Sequence, residues 1–88
     1  MLKVTIKAMF ATEQITDSFS KREIVVETNE EYSQCILLQF TNNNIDRLDH
    51  ISVGDSVEVK YNLKGRGYNK NGETRYFNTI EGWYIKKV

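Results

Sequence analysis

Three consecutive stretches decide the fold: Cys35-Ile36-Leu37-Leu38-Gln39-Phe40, then Asn42 to His50, then Ser56-Val57-Glu58-Val59-Lys60-Tyr61-Asn62-Leu63-Lys64. The first is a short apolar run, apolar on both sides, which predicts a buried strand. The second sets Ile45, Leu48 and Ile51 at i, i+3 and i+6, a stripe suited to a short helix that plugs one end of a closed sheet. Asn42, Asn43 or Asn44 is placed to cap that helix. The third alternates, with Val57, Val59, Tyr61 and Leu63 on one face and Ser56, Glu58, Lys60 and Asn62 on the other. Val53-Gly54-Asp55 reads as the turn between helix and strand.

Working outward, Leu2 to Ala8 alternates as a strand, with Leu2, Val4, Ile6 and Ala8 on one face and Lys3, Thr5 and Lys7 on the other. Residues 11–20 are polar and read as a loop. Lys21 to Thr28 is a second strand around Ile24-Val25-Val26, and Asn29-Glu30-Glu31 is a turn. Downstream, residues 65–74 carry three of the five glycines, and Asn71-Gly72 is a strong hairpin-turn dipeptide because both residues tolerate positive φ. Arg75 to Val88 is a last, long, aromatic strand with a bulge near Gly82. The order is three strands, a helix and two strands. The expected fold is therefore all-β, a five-stranded OB-fold barrel with one short helix between strands 3 and 4. Such barrels bind along the face around strands 2 and 3, flanked by the first loop and the loop between strands 4 and 5.

Eighty-eight residues make one domain, 1–88. An apolar share of 40% supports a core and argues against disorder. The absence of proline suits a chain of hydrogen-bonded strands. A single cysteine, Cys35, makes no internal disulfide, and with the single histidine, His50, it does not complete a zinc site. Cys35 reads as a small core residue and His50 as a helix C-terminal residue. No apolar stretch is long enough to span a membrane. The N-terminus lacks the apolar run and cleavage site of a signal peptide, so a cytoplasmic location is expected. No metal, cofactor or catalytic step is expected: Gly65-Arg66-Gly67 is no phosphate loop, and the only Cys and His lie in different elements.

Net charge is zero, but it is unevenly spread. Residues 1–28 balance four cations against four carboxylates. Residues 29–58 hold one cation against six carboxylates, and residues 59–88 hold seven cations against two. An acidic middle and a basic last third suit an anionic partner on one side of the molecule.

Ile36 to Phe40, Ile45-Asp46-Arg47-Leu48 and Val53-Gly54-Asp55-Ser56-Val57-Glu58-Val59 together resemble the strand–helix–strand passage of bacterial and phage single-stranded-DNA-binding proteins. The hairpin from Leu63 to Tyr76 resembles that family's long basic-aromatic hairpin. The whole chain is similar to short single-domain relatives found in phages and bacteria and catalogued as a domain of unknown function. Lys21 to Thr28 resembles their second strand, and Trp83-Tyr84-Ile85 their closing strand. The resemblance covers residues 3–87. Two departures are expected to matter: the sequence shows no acidic-tipped tail, and the first loop has only Phe10 and Phe19 as aromatics.

The resemblance implies sequence-tolerant binding of single-stranded DNA in replication, recombination or repair. That activity needs a cationic groove and aromatic faces on which bases stack. The hairpin holds both: Lys64, Arg66, Lys70 and Arg75 with Tyr68 and Tyr76. Tyr68 and Phe40 fall where the resembled family stacks bases; for Tyr68 the other reading is packing on its own turn, and for Phe40 it is core. Phe19, Lys21 and Arg22 sit where the first loop meets strand 2, and alternation lets only one of the two cations face the strand. Lys7 is the more central of two outward lysines on strand 1. Tyr61, Phe77 and Trp83 read as core or interface. Trp83 and Tyr84 point to opposite faces of the last strand. The expected partners are single-stranded DNA, a second copy of the chain in a homodimer or higher oligomer, and replication proteins. Two alternatives remain: a protein-interaction or assembly module, and an RNA-binding domain.

Overall fold

The computed structural model describes residues 2–88. The chain is all-β with one short helix: β1 (Leu2–Met9), β2 (Glu13–Thr16), β3 (Phe19–Thr28), β4 (Cys35–Thr41), a 3₁₀ helix (Asn42–Leu48), β5 (Ser56–Lys70) and β6 (Glu73–Lys87). The strands form one sheet in the order β1-β5-β6-β4-β3-β2, and β1 also pairs with β3. The pairings thus return on themselves through β1, β5, β6, β4 and β3, and β2 hangs on the outside of β3.

Alternation supplies the core of this ring. Val4 and Ile6, Ile24 and Val26, Leu38 and Phe40, and Val57 and Val59 are all at most 1% exposed. Ile45, Leu48 and Ile51 close the core from the helix side, as their spacing predicts. The Asn residues do not cap the helix. Thr41, in extended conformation, occupies the N-cap without a side-chain bond. Asn42 takes a left-handed φ of 48°, and its side-chain oxygen accepts a hydrogen bond from the Ser20 amide at 3.0 Å.

The structure has six strands, not five. The extra one is β2, inside the stretch expected to be a loop. Glu13 to Thr16 fold back on β3 through a tight turn, where the Ser18 amide donates to the Thr16 hydroxyl at 3.3 Å. All four β2 residues are exposed, so no apolar alternation marks the strand in the sequence.

β5 and β6 are also longer at the turn than expected. Asn71 and Gly72, at φ 54° and 79°, make so tight a turn that pairing runs from Lys70 opposite Glu73 back to Val57 opposite Lys87. Lys60 pairs with Tyr84 and Tyr61 with Gly82, which leaves Trp83 as the bulged residue beside the expected glycine. Gly82 is buried where the Phe40 ring crosses it: a Cβ there would sit 2.8 Å from Cε1 and 2.9 Å from Cε2.

Among the described residues, only the base of this ladder pairs with other strands, and Ile80 packs partly buried against the core. β5 meets β1 through Ser56–Val59, and β6 meets β4 at Glu81. Beyond that, residues 61–80 are a two-stranded ribbon. Tyr61, Leu63 and Phe77 are therefore exposed rather than core, and so is Trp83 at the bulge. β4 is covered on one side only, so Leu37 and Cys35 face solvent, in contrast to the two-sided burial that their sequence predicts.

Candidate functional site

A groove of about 680 Å³ lies between the outer face of β3–β4 and the base of the β5–β6 ribbon. Phe19 comes from β3, Gln39 and Thr41 from β4, Lys64, Arg66 and Tyr68 from β5, and Phe77, Thr79 and Glu81 from β6. Strand pairing explains the set. Lys64 is opposite Thr79, Arg66 opposite Phe77 and Tyr68 opposite Arg75, and directly opposed residues share a face. A second hollow continues toward the ribbon tip around Lys70 and Arg75, and a third runs along Lys21, Gln39 and Thr79.

Two aromatics stand at the centre. The Tyr68 and Phe77 rings meet edge-on, with centroids 5.8 Å apart at 69°, and each residue is about half exposed. Arg66 Nη1 donates to the Tyr68 hydroxyl at 3.3 Å. That hydrogen bond, followed by electrostatic attraction to Tyr68, holds the guanidinium above its ordinary range.

The charges divide into engaged and free. Glu81 lies in the groove, accepting from the Thr41 hydroxyl at 3.0 Å and pairing with Lys64 Nζ at 2.9 Å. Lys21 is 3.9 Å from Glu13 and 4.0 Å from Glu23, loose contacts between solvated groups. Among the described residues, no carboxylate lies within 4.0 Å of Arg66, Lys70 or Arg75. Three cations without a carboxylate partner therefore stand together on the outer half of the ribbon.

Seven expected site residues come together here: Phe19, Lys21, Lys64, Arg66, Tyr68, Lys70 and Arg75. Four do not. Phe40 is 0% exposed in the core, so its ring offers no face to a ligand, and the core reading of this residue holds. Tyr76 pairs with Gly67 on the opposite face of the ribbon, with its Cε1 3.2 Å from where a Cβ at 67 would lie. Arg22 turns away from Lys21, and its Nε donates to the Phe10 carbonyl at 2.7 Å. Lys7 is at the other end of the sheet, 3.6 Å from Glu27 and 3.4 Å from Cys35 Sγ; Cys35 first and Glu27 second hold its ammonium above the ordinary lysine range.

Gln39, Thr41, Phe77, Thr79 and Glu81 line the groove and were missed by sequence reading. For Phe77 and Glu81 a signal was present. A two-residue Asn71-Gly72 turn fixes the pairing by counting outward, which puts Phe77 opposite Arg66 and Glu81 opposite Asn62.

No helix among the described residues is long and apolar enough to cross a membrane. No curated protein matches the chain. Residues 2–86 match the family described as Domain of unknown function (DUF3127). That match spans nearly the whole chain, and the protein belongs to the DUF3127 family.

Proposed function

We propose that the protein is a sequence-tolerant single-stranded-DNA-binding protein built on an OB-fold barrel, acting in phage or bacterial replication, recombination or repair. The closed path of pairings through five strands, with a short helix between β4 and β5, supports the fold reading. One observation carries the functional reading: the half-exposed Tyr68–Phe77 pair shares a groove with Arg66, Lys64 and Phe19, and the free cations Lys70 and Arg75 continue it. Exposed aromatic faces accept any base, and cations along the path neutralise phosphates, which is the physics of sequence-tolerant single-strand binding. The likeness of the hairpin and of the Val53–Val59 passage to single-stranded-DNA-binding proteins points the same way. The reading involves no chemical step, and a cytoplasmic site of action is part of it.

Tyr61, Leu63 and Tyr76 are exposed on the opposite face of the ribbon. That observation favours assembly through this face, and we read the protein as a homodimer or higher oligomer whose linked sites raise avidity. Replication proteins are the natural further partners.

The test is fluorescence anisotropy of a labelled oligo-dT at two salt concentrations, beside an oligo-rU, a duplex and the Tyr68→Ala variant. Salt-sensitive binding to the DNA single strand that is lost in the variant supports the reading. Preference for oligo-rU moves the assignment to RNA. Absence of binding at low salt rejects nucleic acid as the ligand and leaves an interaction module.

A further inference from the structure

The bulge in β6 builds a second aromatic–cation cluster, outside the groove. A regular strand sends successive side chains to opposite faces. The extra residue brings Trp83 and Tyr84 to the same side, with ring centroids 6.5 Å apart at 57°. Lys60 Nζ lies 5.7 Å from the Trp83 ring centroid and 5.0 Å from that of Tyr84. Trp83 is 42% exposed. No carboxylate lies within 4.0 Å of Lys60 among the described residues, so the two rings are what its ammonium faces. A cation over exposed rings is weakly held and free to exchange the rings for a phosphate.

Position ties the cluster to the groove. β5 has no bulge, so alternation sets Lys60 on the same face as Lys64, Arg66, Tyr68 and Lys70. At ~3.4 Å per residue, Lys60 is about 27 Å along the strand from Tyr68. Lys64, paired with Glu81, stands between them.

We propose that Trp83, Tyr84 and Lys60 form a second stacking subsite for single-stranded DNA, with a base on Trp83 and a phosphate on Lys60. It is filled only by strands long enough to reach from Tyr68. The proposal rests on the reading of the groove as a single-strand site and adds to it a direction and a length for the bound strand.

The experiment uses the intact protein and oligo-dT of about 4 and about 16 nucleotides, which bracket the usual span of one such domain. Trp83 is the only tryptophan, so its emission reports this subsite alone. The longer strand is expected to quench it and the shorter one, bound at Tyr68, to leave it unchanged. Trp83→Ala is expected to weaken the longer strand about tenfold, within the range that one lost stack produces, and the shorter by less than about twofold. Trp83→Phe restores most of the loss. Lys60→Gln leaves the rings in place and lowers the salt slope for the longer strand by about 0.7. If the longer strand binds in a Tyr68-dependent way with no change in Trp83 emission, the subsite is wrong and the groove stands. Equal quenching by both lengths also overturns the proposal. If neither strand binds at low salt, the subsite and the groove reading fall together.

Discussion

The β5–β6 ladder is two regions in one pair of strands. At its base, Val57, Val59 and Ile85 are 9% exposed or less, because β1, β4 and the 3₁₀ helix lie over them. Along the ribbon, Tyr61 and Leu63 continue the same face of the same strand and are 39% and 76% exposed. The alternation does not change between them; the neighbours do. A two-stranded ribbon is marginal in water by itself, so this one borrows its order from the ring that holds its base. The base carries stability, and the ribbon is free to carry side chains chosen for a ligand.

The sharpest way to break that division is at the base. Phe40→Ala is expected to cost about 3–5 kcal/mol in urea or thermal unfolding, the usual loss for a large aromatic removed from a core. The same experiment tests the reassignment of Phe40. A variant that keeps its stability and loses DNA would show that the ring stacks on bases after all. Gly82→Ala forces a methyl group into the Phe40 ring and is expected to destabilise by about 1–3 kcal/mol.

On the ribbon the expectation inverts. Tyr68→Ala is expected to lose about 1–3 kcal/mol of oligo-dT affinity by anisotropy while unfolding within about 0.5 kcal/mol of wild type. A large stability loss there would erase the distinction between the two regions. The free cations give a finer test. Replacing both Lys70 and Arg75 by Gln is expected to reduce the log–log salt slope of binding by about 1.4, or 0.7 for each phosphate contact. An unchanged slope would place the strand elsewhere.

Glu81, where base meets ribbon, gives the smallest effect. Its carboxylate engages Lys64 and puts a negative charge in the groove. Glu81→Gln removes the charge, frees Lys64 and is expected to tighten single-strand binding about two- to fivefold, the scale of one partly exposed ion pair. Weaker binding would mean that Glu81 positions Lys64 rather than opposing the ligand.

Much of this architecture was legible beforehand because strand patterning is local. The apolar alternation of Leu2–Ala8 and Ser56–Val59, the stripe Ile45-Leu48-Ile51 and the Asn71-Gly72 turn each state a conformation within a few residues. The concentration of cations after residue 58 and the groove position of Lys64, Arg66 and Tyr68 were equally readable. β2 was not, because its four residues are all exposed and a lone apolar Ile15 makes no periodic signal. The direction of Trp83 was not, because a bulge shifts facing by one residue and only the cross-strand register shows where it falls.

The sequence by itself determined which residues share a face and where the chain turns, because a strand repeats every two residues whatever surrounds it. Tertiary structure alone decided which of those faces is covered. Phe40 is inside because it crosses Gly82, a partner 42 positions away. Tyr61 is outside because it lies beyond Val59, where the described pairing with β1 reaches Leu2. Phe77 lines a groove because the ribbon's base sits beside β3 and β4. Burial is a property of distant partners, and no local pattern encodes how far a neighbouring strand extends.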